Sequence, residues 1–267
     1  MNKVVFITGV SSGIGEATAK ALAQAGYLVF GGARSPERLP AIANVETVAL
    51  DVRDDASVRK AVATVLERAG KIDILINNAG ISLVGPVEAT SDEEAQALFD
   101  TNLFGALRMI RAVLPSMRNR GEGLIVNISS VLGFLPAPFM GVYAASKHAL
   151  EGLSESLDHE VRGFGVRVVL VEPSFTNTRL DVNAARTNAR IVDYEAALDL
   201  SSKAVQRQVA AAPAAEAVAA KIVSVLGGKH RLRQPADGRA KLLGTLRRFA
   251  PANQVDKSLR SAFGLTA

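Results

Sequence analysis

The 267-residue chain contains no cysteine and no tryptophan, and only three histidines and three tyrosines. The absence of cysteine excludes disulfides, thiolate metal sites and a cysteine nucleophile. His148, His159 and His230 show no paired metal-ligand spacing, so no metal is expected. Long hydrophobic runs are also missing: no stretch approaches the roughly 18 uncharged apolar residues of a membrane span. Residues 4–7 are too short an apolar run for a signal peptide, and the expected location is the cytoplasm. The net charge is a modest +5 and unevenly placed. From Lys229 onward nine lysines and arginines face two acids, so the basicity belongs to the tail and not to the body. With 48% hydrophobic and 21% charged residues, the chain can bury a large core and is read as one domain over 1–267.

What is present is a rhythm of short β-branched runs and helical stretches. Residues 4–7 lead into Thr8-Gly9, a loop containing Ser11, Ser12, Gly13, Ile14 and Gly15, and an alanine-rich helix over 16–25. Gly9 suits a tight turn, Gly13 lets the backbone approach a diphosphate, and Gly15 allows close helix–strand packing. The helix N-terminus offers free N–H groups to that phosphate. A second strand, 27–32, starts after Gly26 and ends near Ala33-Arg34. An acid there would select NAD(H); Arg34 instead suits a 2′-phosphate, so NADP(H) is preferred with NAD(H) possible. Further strands are predicted over 45–50, 73–76, 124–128 and 166–171, with helices over 54–69, from the Ser91 cap towards Arg118, and from the Tyr143 region to Arg162. This alternation predicts an α/β fold, a doubly wound, mostly parallel sheet with helices on both faces and a C-terminal helical extension.

Three residues carry chemistry. Tyr143 and Lys147 lie one helical turn apart on a shared face. A cation beside a phenol favours the phenolate, drawing tyrosine down from its reference pKa of about 10. Ser130, after the strand 124–128, adds a hydroxyl, and the three can exchange a proton with an alcohol or carbonyl oxygen. Tyr-x-x-x-Lys is also common as a plain surface pair, so it gains meaning only in company. Asn102, in the interior of a predicted helix, is a poor helix residue of the kind found at functional sites.

Taken together, Thr8-Gly9-x-x-x-Gly13-x-Gly15, Asp51 after the third strand, Asn77-Asn78-Ala79-Gly80, Asn102, Ser130 and Tyr143-x-x-x-Lys147 resemble the short-chain dehydrogenase/reductase family over roughly residues 3–235. The resemblance implies a Rossmann fold, an NAD(P)(H) cofactor and a catalytic tetrad of Asn102, Ser130, Tyr143 and Lys147. Ser130 would bond the carbonyl oxygen, Tyr143 would exchange a proton with it, and Lys147 would support the phenol and hold the nicotinamide ribose. Asn102 would position a water linking Lys147 to solvent. Asp51 and Val52 would flank the adenine, Asn78, Ala79 and Gly80 the adenosine side, and Pro173, Thr176 and Thr178 the nicotinamide. A homodimer or homotetramer, pairing through the helices of Asn102 and Tyr143, is implied as well. Two departures from the family pattern stand out. Ser174 replaces a usual glycine and would be strained if that position needed a positive φ, and the segment 10–12 lacks a second basic residue.

Between Ser130 and Tyr143, residues 132–140 are too apolar for an ordinary surface loop. Leu132 and Phe139, with Phe175, are expected to line a dry substrate pocket beside Ser130 and Tyr143. An insertion over about 180–209, containing Tyr194, is expected to cover it. The predicted substrate is a medium-to-large apolar carbonyl or secondary alcohol: steroid-, retinoid- or acyl-like. The alternative is a catalytically silent NADP(H)-binding sensor or scaffold. Nucleic acid is not an expected partner, because the basic tail lacks interleaved aromatics. In the tail, about 238–267, Leu242, Leu243, Leu246 and Phe249 are read as one side of a helix. A docking helix with a solvated basic face is favoured there over a membrane-surface contact.

Overall fold

The computed structural model describes residues 2–178, 180 and 184–265. Seven strands form one parallel sheet in the order β3-β2-β1-β4-β6-β7-β9: β1 (Val4–Thr8), β2 (Leu28–Ala33), β3 (Val45–Ala49), β4 (Ile74–Asn77), β6 (Gly123–Ile128), β7 (Val166–Glu172) and β9 (Arg233–Pro235). A small separate ladder pairs β5 (Leu83–Val84) with β8 (Ala185–Arg186). The chain starts in the middle, winds outward through β2 and β3, and returns to lay β4 on the other side of β1. That reversal leaves a crevice at the carboxyl ends of β1 and β4.

Alternation along the strands feeds two cores. Val4, Phe6, Phe30, Leu75, Ile125 and Val168 face α2 (Asp55–Ala69), α4 (Gly105–Arg120) and α5 (Gly141–Val161), meeting Val58, Val62, Met109, Val113 and Leu157. Val5, Ile7, Val29, Ile74, Val126 and Val169 face α1 (Gly13–Gln24) and α7 (Ala215–Gly227), meeting Leu22, Val218 and Ile222. Each fully buried aliphatic side chain contributes about 1.5–3 kcal/mol, so strands buried on both faces dominate the cohesion.

Helix ends follow their sequence signals. Asp54 caps α2 by accepting from the Ala56 N–H, and Ser91 with Glu94 forms a full capping box on α3 (Asp92–Phe99). The stretch from Ser91 towards Arg118 is not one regular helix: a π segment, Asp100–Phe104, joins α3 to α4 and holds Asn102. The insertion contains β8 and α6 (Val192–Ala210), whose Tyr194 hydroxyl donates to Glu88 at 2.9 Å. Residues 181–183 of that insertion, and the last two of the tail, lie outside the described residues.

The tail forms α8 (Gly238–Phe249) and α9 (Ala252–Ala262). Its four expected apolar residues separate. Leu243 turns inward with Ala240, Leu259 and Phe263 onto the cluster around Leu132 and Tyr143. Leu242, Leu246 and Phe249 remain exposed.

One ion-pair cluster ties the helix layer to the sheet. Asp158 of α5 is 2% exposed, accepts from the Val168 N–H at 2.9 Å and is bridged by Arg162 (2.7 Å) and Arg167 (3.1 Å). Burial raises the proton affinity of this carboxyl, but hydrogen bonds from Arg167, Val168 and Arg162 outweigh it and hold the group well below the carboxylate range. Because the folded value is depressed, the stabilisation is present above the unfolded value near 3.8 and is lost as pH falls below it. Asp158→Ala is expected to cost about 3–5 kcal/mol at pH 7 and somewhat less at pH 3, where the folded carboxyl is still ionised. Urea unfolding at both pH values checks this, and an unchanged midpoint at pH 7 would contradict it.

Candidate active site

The glycine loop and the β4 exit are locked together. The Thr8 hydroxyl accepts from the N–H groups of Asn78 (3.0 Å) and Ala79 (2.9 Å). The Asn78 amide returns donations to the Thr8 and Gly9 carbonyls at 2.9 and 3.1 Å. Gly15 has no room for a side chain: a Cβ there would lie 2.2 Å from the Gly9 carbonyl oxygen. Gly9 itself turns with φ +74°, a conformation that favours glycine. Ser12 is the N-cap of α1 with no side-chain cap hydrogen bond, which leaves first-turn N–H groups without a side-chain partner, and residues 12–15 line the crevice.

The crevice has a volume of about 650 Å³. Its walls contain Gly9, Ser11, Ser12, Gly13, Ile14, Gly15, Arg34, Asp51, Val52, Asn78, Ala79, Gly80, Pro173, Thr176 and Thr178, together with Ser130, Leu132, Tyr143, Lys147 and Phe175. Residues scattered over the sequence from Gly9 to Thr178 are thus brought to one cleft.

At one end, Asp51 and Arg34 are joined by a residue not anticipated from sequence. Arg53 forks onto Asp51, Nη2 donating at 2.6 Å and Nε at 3.0 Å, and it lines the same cleft. Hydrogen bonding from Arg53, with the charge of Arg34 nearby, holds the Asp51 carboxyl down to about 2. Two arginines and one neutralised acid leave this end positive. Residues 10–12 lack a second cation, and the exit of β3 supplies it instead. The pattern Asp51-Val52-Arg53 was the available signal.

At the other end stand the phenol, ammonium and hydroxyl. Tyr143 and Lys147 are buried on α5, and Lys147 Nζ donates to the Ile128 carbonyl at 2.9 Å, 5.9 Å from the Tyr143 ring centre. Ser130 Oγ accepts from the Leu132 N–H at 3.1 Å, which retains its own proton for donation. Asn102 is not on the cleft wall. It lies behind, in the π segment, where the widened turn lets its amide clasp Ile81: Oδ1 accepts from the Ile81 N–H (2.8 Å) and Nδ2 donates to the Ile81 carbonyl (2.9 Å). Nδ2 also donates to Ser146 Oγ (3.1 Å), which in turn donates to the Tyr143 carbonyl (2.7 Å). A second cavity of about 10 Å³ touches Asn102, Lys147 and Thr8, which is room for one water.

Helix α5 is oriented from below by a buried polar chain. Asn77 donates to Asn127 Oδ1 (2.8 Å), and Asn127 donates to Ser154 Oγ (2.8 Å). Replacing any link would strand buried polar atoms.

Two sequence expectations need correction. Phe139 is not among the described residues lining the cleft. It adopts φ +60° and packs edge-on against Tyr194, ring centres 6.4 Å apart, because the turn before α5 points it at the insertion. Ser174 is not strained: among the described residues only Asn44 and Phe139 are non-glycines with positive φ. Its N–H and hydroxyl both donate to Asp237 Oδ2, at 3.1 and 2.8 Å, tying the loop after β7 to the cap of α8.

Comparison with known proteins agrees with this geometry. A family model described as short chain dehydrogenase matches residues 3–189. A 3-ketodihydrosphingosine reductase of Bacteroides thetaiotaomicron is 38% identical over 208 residues, 77% of each chain. A short-chain dehydrogenase/reductase of Burkholderia phymatum, solved with NAD, superposes with a TM-score of 0.80 at 31% identity over 92% of each chain. One from Burkholderia cenocepacia, solved with NADP, gives 0.78 at 25% identity over 100% of this chain and 98% of that one. Among the described residues no helix is long and apolar enough to cross a membrane. The chain therefore belongs to the short-chain dehydrogenases/reductases, oxidoreductases that act on CH–OH and C=O groups.

Proposed function

We propose that this oxidoreductase uses NADP(H), in preference to NAD(H), on an apolar carbonyl or secondary alcohol. The observation that carries the reading is the single cleft with Arg34 and Arg53 at one end and Ser130, Tyr143 and Lys147 at the other. The shape fits a dinucleotide: the Gly9–Gly15 contact leaves backbone bare for a diphosphate, and Arg34, in a cleft that also holds the Arg53–Asp51 fork, suits a 2′-phosphate. The bound nicotinamide supplies the hydride.

Everything else falls to the chain. Ser130 donates to the carbonyl oxygen and holds it in reach of the phenol. Tyr143 delivers its proton to that oxygen in reduction and removes it in oxidation. Lys147, anchored on the Ile128 carbonyl, places positive charge beside the phenol and stabilises its anionic form. Asn102 holds the Ile81 backbone and the catalytic turn of α5 in place, and the adjoining cavity offers a water path to Lys147. Leu132, Phe175, Ile81 and Leu180 add apolar surface to the cleft that holds Ser130, which supports a lipid-like ketone or alcohol. The relative's ketodihydrosphingosine reductase name points the same way.

Tyr143→Phe removes the proton donor and keeps the ring, so kcat is expected to fall by about 10²–10⁴-fold with NADPH binding retained. Equal turnover by wild type and variant would overturn the role given to Tyr143, and absence of turnover by both would leave the sensor or scaffold reading standing. Arg34→Ala is expected to raise KM for NADPH by about tenfold or more while that for NADH barely moves. Equal changes for both would remove the 2′-phosphate assignment. In a screen of carbonyl compounds, turnover is expected for apolar ketones and aldehydes; activity confined to small hydrophilic sugars would reject the substrate class.

A further inference from the structure

Directly beneath the Ser130 turn lies a cluster of charges that the proton transfer does not use. Glu151 is one helical turn beyond Lys147 on α5, and Glu172 ends β7 next to Pro173; both are buried, at 4% and 3% exposure. Arg233 of β9 reaches between them. Its Nε donates to Glu151 Oε2 at 3.1 Å and lies 3.6 Å from Glu172 Oε1, while Nη2 donates to Glu155 at 3.1 Å. On the other side of Glu151 stand the Ser129 hydroxyl and His148.

The cluster touches both loops that carry active-site residues. Ser129, whose hydroxyl faces Glu151, is the neighbour of Ser130, and its N–H donates to Val171 at 2.8 Å. The Val131 N–H donates to the Pro173 carbonyl at 2.9 Å. The turn after Ser130 rests on the carboxylate stem: a Cβ on Gly133 would lie 2.9 Å from Glu151 Cγ and 2.7 Å from Ser129 Oγ. A shift of Glu151 or Glu172 is therefore passed to Ser130 and to the loop 173–178.

We propose that Glu151, Glu172 and Arg233 form a positioning triad, in which the C-terminal strand draws α5 and β7 together and sets the spacing between Tyr143, Ser130 and the nicotinamide-side loop. The inference rests on the oxidoreductase reading above. One cation serves two buried carboxyls, so the triad is tightest when one of them is neutral. Glu172 is that one: burial, reinforced by Glu151 and opposed by Arg233, pushes its carboxyl up to about 7. Glu151 is also raised by burial, with Ser129, Arg233 and His148 opposing. Because the folded value of Glu172 lies above the unfolded one, its contribution to stability is full below about 4.5 and is lost as pH rises through 7. Above that, two anions face one guanidinium that Glu155 also shares, and the spacing loosens.

The test compares wild type with Glu172→Gln, Arg233→Gln and His148→Asn, measuring kcat and melting temperature from pH 5.5 to 9. Wild type is expected to lose several-fold in kcat on passing pH 7, a step that Glu172→Gln abolishes and His148→Asn retains. The fall due to the phenol itself is common to all. Arg233→Gln is expected to lower kcat by about tenfold with the carbonyl KM within about twofold of wild type. A Glu172→Gln profile that keeps the step, or an Arg233→Gln kcat equal to wild type, would overturn the triad. Melting temperatures need no turnover: wild type should lose stability between pH 5.5 and 8 relative to Glu172→Gln, and parallel curves would overturn the triad. Failure of wild type to turn over any carbonyl would instead count against the oxidoreductase reading.

Discussion

The site depends on the Thr8 hydroxyl and the Asn78 amide closing the gap between the first and fourth strands. Two main-chain N–H groups converge on one oxygen and one amide donates to two carbonyls. Buried backbone groups at a strand exit must find partners, and here they find each other across the switch point. This exchange brings the glycine loop close enough that Gly15 has no space for even a methyl group. The conformation of the glycine loop and the shape of the cleft beside it follow from that approach.

A second constraint orients the reacting groups. Tyr143 and Lys147 share a helix face by covalent geometry alone, but where that face points is decided by buried polar chains. Asn77, Asn127 and Ser154 fix the far end of α5, while Asn102, Ser146 and the Tyr143 carbonyl fix its catalytic turn. Breaking any of these links would leave further buried polar atoms unpaired, which makes the helix position discrete. The cleft is also electrically divided. The end at Asp51 is made positive by arginines that hold that acid ionised, and the end at Tyr143 includes apolar lining from Leu132 and Phe175, where charge is less screened by water.

Where sequence reading failed, the cause was non-local. Arg53 looks like an ordinary loop arginine until it forks onto Asp51 in the wall of the cleft that also holds Arg34. Phe139 has the composition of a pocket residue, but its left-handed backbone turns it to Tyr194. Ser174 departs from the glycine usual in the family, and Asp237, 63 positions later, provides the hydrogen bonds that suit a serine. Strand β9, three residues with an arginine at one end and a proline at the other, has no periodicity to detect. The interruption at Asn102 was visible as a poor helix residue; that it forms a π segment was not.

By itself the sequence determined the succession of strands and helices, the glycine turn, the absence of thiol chemistry, and the side chains available to move a proton, because these depend on local propensity, period and side-chain type. Tertiary structure alone decided which arginines line the cleft with Asp51, which apolar residues face the cleft, and how the carboxyls of α5 and β7 meet Arg233. Those relations join segments tens to more than a hundred residues apart, and their distances are set by packing and polar satisfaction that no local pattern encodes.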